Sequence, residues 1–76
     1  MKQEVKREVY WRGTIRTADD FNDPITTEFI DGKTRHGPWA IMTPQSWKRM
    51  GVNQLGVGFG QKYKKQPDGR WLKVQG

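Results

Sequence analysis

The sequence predicts a small, mostly-β α+β domain. The expected architecture is a curled antiparallel sheet or partly open small barrel of about five strands, with one short helix at 44–50. Three observations predict it. Residues 5–17 alternate in polarity with the period of a half-buried strand. Asp31-Gly32 and Pro67-Asp68-Gly69 are turn signals inside longer strand-like runs. Residues 43–51 carry the start and stop signals of a single helix. The resulting order is β-β-β-α-β-β over one domain, residues 1–76.

The helix has the most complete local signal. Thr43 is an N-cap, because its hydroxyl can accept from a free first-turn N–H. Pro44 falls at the first helical position, where a missing N–H costs nothing. Met42 and Trp47 have the spacing of a hydrophobic staple. Lys48 and Arg49 occupy the last turn, where cations suit the helix dipole. Gly51 is expected in the left-handed conformation after the helix, with Val52 reaching back to Trp47. Trp47 serves both ends and is the expected buried anchor.

The first strand places Val5, Val9, Trp11 and Ile15 on one parity, with Lys6, Glu8, Tyr10, Arg12 and Arg16 on the other. Gly13 lies on the inner parity and marks a bend or bulge. Residues 18–24, ADDFNDP, are a loop. Asp19, Asp20 and Asp23 lack the ligand alternation, central glycine and distal glutamate of a calcium loop. Turn chemistry by their side chains is the expectation.

Residues 25–42 read as a hairpin about Asp31-Gly32, with Ile30 opposite Lys33 and Glu28 opposite Arg35. Pro38 cannot donate to a ladder and belongs at an edge or break. His36 is the only histidine and is expected to be a surface or packing residue. Glycines at 56, 58 and 60 match neither a phosphate loop nor a dinucleotide fingerprint. A mobile loop or a bulged strand start is expected there.

The last hairpin is 61–75. A two-residue Asp68-Gly69 loop puts Tyr63 opposite Val74, with Leu72 on the same apolar face. The other face then carries Lys62, Lys64, Trp71 and Lys73. Short hairpin connections make the sheet mostly antiparallel, and in style it is SH3-like or OB-like. Fold of that kind does not fix function.

Seventy-six residues form a thin core, since so short a chain buries only about 60% of its unfolded surface. Four Trp, three Phe and two Tyr compensate in part. Cysteine is absent, so neither a disulfide framework nor a thiolate metal site is available. No apolar run has a membrane-spanning length, and MKQEVKREV has no apolar region of a secretory signal. The expected location is cytoplasmic.

The net charge is +6 and uneven. Residues 1–31 carry five basic and seven acidic side chains, whereas residues 32–76 carry nine basic and one acidic. Such asymmetry points to an anionic partner. The leading expectation is a nucleic-acid-binding module, for DNA or RNA alike. Lys62, Lys64 and Lys73 would neutralise phosphates, and an exposed Trp71 would stack on an unpaired base. Arg35, Lys48, Arg49 and Arg70 would extend the patch. The competing reading of Trp71 places it in the core.

The alternative function is a regulator or inhibitor that docks on an acidic surface of a larger complex through the same Trp and Arg side chains. An enzyme is disfavoured, because no nucleophile–base pair or carboxylate pair is placed for chemistry. No cofactor and no metal are expected.

Overall fold

Phe29 and Ile30 are neighbours in the sequence, and both are fully buried, at 0% and 2% exposure. Neighbouring residues of a strand point to opposite faces. The sheet that holds them must therefore be covered on both sides. A computed structural model, describing residues 8–76, shows how this is done.

The elements are β1 (Glu28–Lys33), β2 (Trp39–Met42), α1 (Pro44–Met50), β3 (Gly60–Lys65) and β4 (Trp71–Gln75). The four strands form one antiparallel sheet in the order β2-β1-β3-β4. The domain is mostly β, as expected. The sheet is open, with β2 and β4 at its edges, and among the described residues it has four strands instead of five.

One face buries Phe29, Tyr63 and Trp71, with Trp11, Ile15, Ile25 and Ile41 packed against them. Phe29 and Tyr63 stack at 5.0 Å between ring centroids. Trp11 meets both rings edge-on, at 5.2 and 5.4 Å. Edge-to-face and offset contacts of this kind suit the ring quadrupoles. The cover on this face is the irregular chain N-terminal to β1.

The opposite face buries Ile30, Met42 and Trp47, with Ala40, Met50, Val52 and Leu55 around them. Here α1 is the cover. Thr43 Oγ1 accepts from Ser46 N–H at 3.2 Å, and Pro44 is the first helical residue. The cap and the Met42–Trp47 staple are as expected. The helix end is different. Gly51 has φ −82° and ψ 166°, an extended conformation, and its N–H donates to Trp47 C=O at 2.9 Å.

Glycine is needed at 51 because the Trp47 ring lies against it: a Cβ there would fall inside the indole. The same ring covers Gly32 and Gly60, where an added Cβ would stand 2.8 and 3.4 Å from Trp47 carbons. Gly32 and Gly60 are cross-strand partners. This overturns the expected Asp31-Gly32 turn. Both residues lie inside β1, and the hairpin turns at Thr34–Gly37, where Thr34 N–H and Oγ1 both donate to Pro38 C=O. Ile30 pairs with Met42 rather than Lys33. Glu28 lies opposite Lys64, not Arg35, and its carboxylate is 3.5 Å from Lys62 Nζ. Gly32 is there for a close approach, and its turn propensity is overridden.

The expected first strand is also replaced. Trp11 N–H donates to Trp71 C=O at 2.9 Å, and Lys73 N–H donates to Val9 C=O at 2.7 Å. These bonds make a single bridge, Tyr10 opposite Leu72, and the ladder stops. Gly13, at φ +80°, turns the chain off the edge, and Ile15 comes to lie on the first core. Residues 5–7 of that expected strand lie outside the described residues.

The other edge is closed by the Asp19–Asp23 loop. Asp20 N–H donates to Ile41 C=O at 3.0 Å, and Asp20 Oδ2 accepts from Ile41 N–H at 2.7 Å. Asp20 thus does the work of a strand partner for one residue. Asp19 is buried, and its oxygens accept from the N–H groups of Phe21, Asp23 and Thr43 at 2.8–2.9 Å. Thr43 Oγ1 in turn donates to Asp23. The aspartates act as turn and capping groups, as expected from their types.

Gly51→Ala is expected to destabilise by about 1–3 kcal/mol, the cost of overpacking, although its backbone conformation suits alanine. Denaturant midpoints would check this, and in a Trp47→Ala background the penalty should vanish. Asp19 supplies a pH dependence. Burial alone would raise its carboxyl, but hydrogen bonds from Ser46, Thr43, Asp23 and Phe21 outweigh that and hold it below the ordinary carboxylate value of 3.8. A depressed folded-state value stabilises above the unfolded one and is lost as pH falls through the folded one. Asp19→Asn should therefore cost about 1–3 kcal/mol at neutral pH and flatten the acid limb of the stability curve.

Candidate nucleic-acid interface

The β3–β4 hairpin carries most of the expected site, and its turn decides which face each residue takes. The loop has three residues, Pro67-Asp68-Gly69. Gly69 N–H donates to Gln66 C=O at 2.9 Å, and Gln66 N–H donates to Arg70 C=O at 2.7 Å. Pro67 suits the first corner of such a turn, and Gly69 takes φ +88°, the left-handed position that closes it. Arg70 N–H and Nε both donate to the Asp68 carboxylate, at 2.9 and 2.8 Å. These bonds hold the Asp68 carboxyl below its ordinary value and raise Arg70.

The register is Lys65 opposite Trp71, Lys64 opposite Leu72, and Tyr63 opposite Lys73, with a register shift between Tyr63 and Lys62. This is one residue away from the expected two-residue loop, and the slip exchanges the faces. Trp71 is 9% exposed and stacks into the first core beside Phe29 and Tyr63. It is not an outward stacking residue. Lys73 shares that face. Lys62 and Lys64 lie on the opposite one, with half-buried Leu72. Val74, expected in the core, is exposed.

The remaining expected residues divide by location. Arg70 places its guanidinium 4.1 Å from the centroid of Tyr10, at the hairpin end. Arg35, Lys48 and Arg49 lie past the other end of β1, whose length alone is roughly 17 Å by strand rise. Arg35 is structural there: Nε donates to Gly51 C=O and Nη2 to Lys48 C=O, at 3.4 and 3.2 Å. It satisfies carbonyls left free at the end of α1. Lys48 and Arg49 are exposed in the last helical turn. The expected basic residues thus form two groups instead of one face.

At the hairpin end the structure adds residues. A groove of about 450 Å³ runs between the N-terminal segment and the hairpin. Trp11, Arg16, Lys65, Arg70 and Trp71 line it, and no lining residue is acidic. Lys65 Nζ lies 5.9 Å from the centroid of Trp71, a cation–π contact. Arg16 holds Asp20 at 2.6 Å in an exposed pair. Such pairs are weak and exchange readily for another anion. Lys65, Arg16 and Trp11 are additions to the expected site residues. The Pro-Asp-Gly loop length is the signal that would have placed Lys65 beside Trp71.

No group of three or more His, Asp or Glu among the described residues is placed to hold a metal ion. No described helix is long and apolar enough to cross a membrane. No family model, curated protein or solved structure matches this chain.

Because Trp71 is core, Trp71→Ala is expected to cost about 3–5 kcal/mol, the range for a buried Trp. A thermal melt within a few degrees of wild type would place the side chain outside the core.

Proposed function

We propose that this chain is a small non-enzymatic module that binds nucleic acid, DNA or RNA, through the basic side chains of its β3–β4 hairpin. The observation that supports this reading most is the hairpin groove, where Lys65 lies over Trp71 beside Arg16 and Arg70 with no carboxylate in the lining. Lys62 and Lys64 add positive charge on the other face of the same strand. Lysines and arginines so placed neutralise phosphates and release counterions. Trp71 contributes by holding the hairpin rigid, since its burial leaves no free stacking face.

The test is titration with single-stranded and duplex DNA and RNA at two salt concentrations. The variant is the triple Lys62→Ala, Lys64→Ala, Lys65→Ala chain, first checked for folding. Binding is expected to weaken alike for all sequences, and the salt slope to fall by about one unit for each phosphate no longer neutralised. If the triple variant binds as wild type does, the hairpin is not the phosphate-binding surface. If wild type binds no oligonucleotide at low salt, the reading fails, and docking on an acidic protein surface replaces it.

A further inference from the structure

The first core covers only the hairpin half of its sheet face. Toward the Thr34–Gly37 turn that face is open. Trp39 pairs with Lys33, and just before β3 Phe59 C=O accepts from Lys33 N–H at 2.8 Å, while Phe59 N–H donates back to Gly56 C=O. The backbones of Trp39, Lys33 and Phe59 thus lie side by side at this end of the sheet. Ile41, two residues after Trp39, packs on the first core, which puts Trp39 on that same face. The register puts Lys33 there too, and Phe59 follows by alternation, since a Cβ on the next residue, Gly60, would face Trp47 on the helix side. Trp39 is 47% exposed and Phe59 37%.

Two half-open aromatic rings on a sheet, with a lysine between them, are more than scattered surface hydrophobics. The backbones of Trp39 and Phe59 are about 10 Å apart, two inter-strand spacings, with Lys33 midway. The next row inward is Ile41, Asp31 and Gln61. Asp31 and Gln61 are half-buried, and burial raises the Asp31 carboxyl. Asp31 has no ion-pair partner among the described residues. A carboxylate and an amide there can meet the polar edges of bases whose faces lie on the rings. Asp31 is the only acid in these two rows. Lys33 supplies the positive charge at this end of the face; Arg35 is committed to carbonyls at the end of α1, and Lys48 and Arg49 stand on the helix that covers the opposite face.

We propose that Trp39, Lys33 and Phe59 form a stacking platform for unpaired bases of a single-stranded nucleic acid. The inference rests on the nucleic-acid reading above and moves the stacking role from Trp71 to Trp39 and Phe59. The two rings take base faces, and Lys33 takes the phosphate between them. A duplex hides its base faces and gains nothing from the rings.

The experiment compares wild type with Trp39→Ala and Phe59→Ala, each checked by thermal melt, on one oligonucleotide presented as a single strand and as a duplex. Each variant should lose about 5- to 100-fold in single-strand affinity, the worth of one stacked base. Duplex affinity should stay at the wild-type level. Trp39→Phe keeps a ring and should retain most of the single-strand binding. If both alanine variants bind single strands as wild type does, while the triple lysine variant still loses binding, the platform is wrong and the module reading stands. Equal losses on single strand and duplex also overturn the platform. If wild type binds neither form, both readings fall, and the exposed rings belong to a protein contact.

Discussion

The fold depends on one contact, the Trp47 indole lying over three glycines. Gly32 on β1 and Gly60 on β3 face each other across the sheet and leave a trough, and Gly51 follows the helix. The ring fills the space that three side chains would have taken. A seven-residue helix has little stability of its own. Its end signals set where it starts and stops, and the indole sets where it lies. Through Trp47, α1 is fixed at once to β1, to β3 and to its own exit. A side chain at Gly51 or Gly32 would collide with the ring, and one at Gly60 would be crowded against the Gly32 backbone.

The same packing explains what could and could not be read from the residues. The helix was legible because its signals are local: Thr43, Pro44 and the Met42–Trp47 spacing lie within one short stretch. The Asp31-Gly32 pair misled for the opposite reason. Its turn propensity is local, but Gly32 is required by Trp47, fifteen positions on, and tertiary packing overrode the local preference. Pro67-Asp68-Gly69 offered two loop lengths. Parity favoured the wrong one, because it assumed a sheet with a single dry face. Here Phe29 and Ile30 are both buried, so alternation does not separate inside from outside. Trp71 went to the core, and the lysines were divided between faces. At residues 8–17 the alternation reflected partial burial of Trp11 and Ile15, with a single bridge in place of a strand.

A thin sheet buried on both faces needs two covers, and the described residues hold only one helix. The N-terminal segment and the Asp19–Asp23 loop supply the second, and their polar groups are consumed in doing so. Asp19 caps three backbone amides, Asp20 pairs with β2 and Arg16, and Asp23 accepts from Thr43. Glu28 lies by Lys62. Even Arg35, read as a surface cation, is committed to carbonyls of Lys48 and Gly51.

This use of the acids sharpens the charge asymmetry of the chain. Most carboxylates of the acidic first half have hydrogen-bond or ion-pair partners within the fold. Among the described residues, Lys33, Lys48, Arg49, Lys64, Lys65 and Lys73 form no ion pair. The positive field is therefore carried by these unpaired side chains, while ion pairs take up Arg16, Lys62 and Arg70. Solubility alone would be served by cations scattered over the surface. Here Lys65 lines the hairpin groove, Lys33 pairs with Trp39 at the other end, and Lys48 and Arg49 project from the helix on the opposite face.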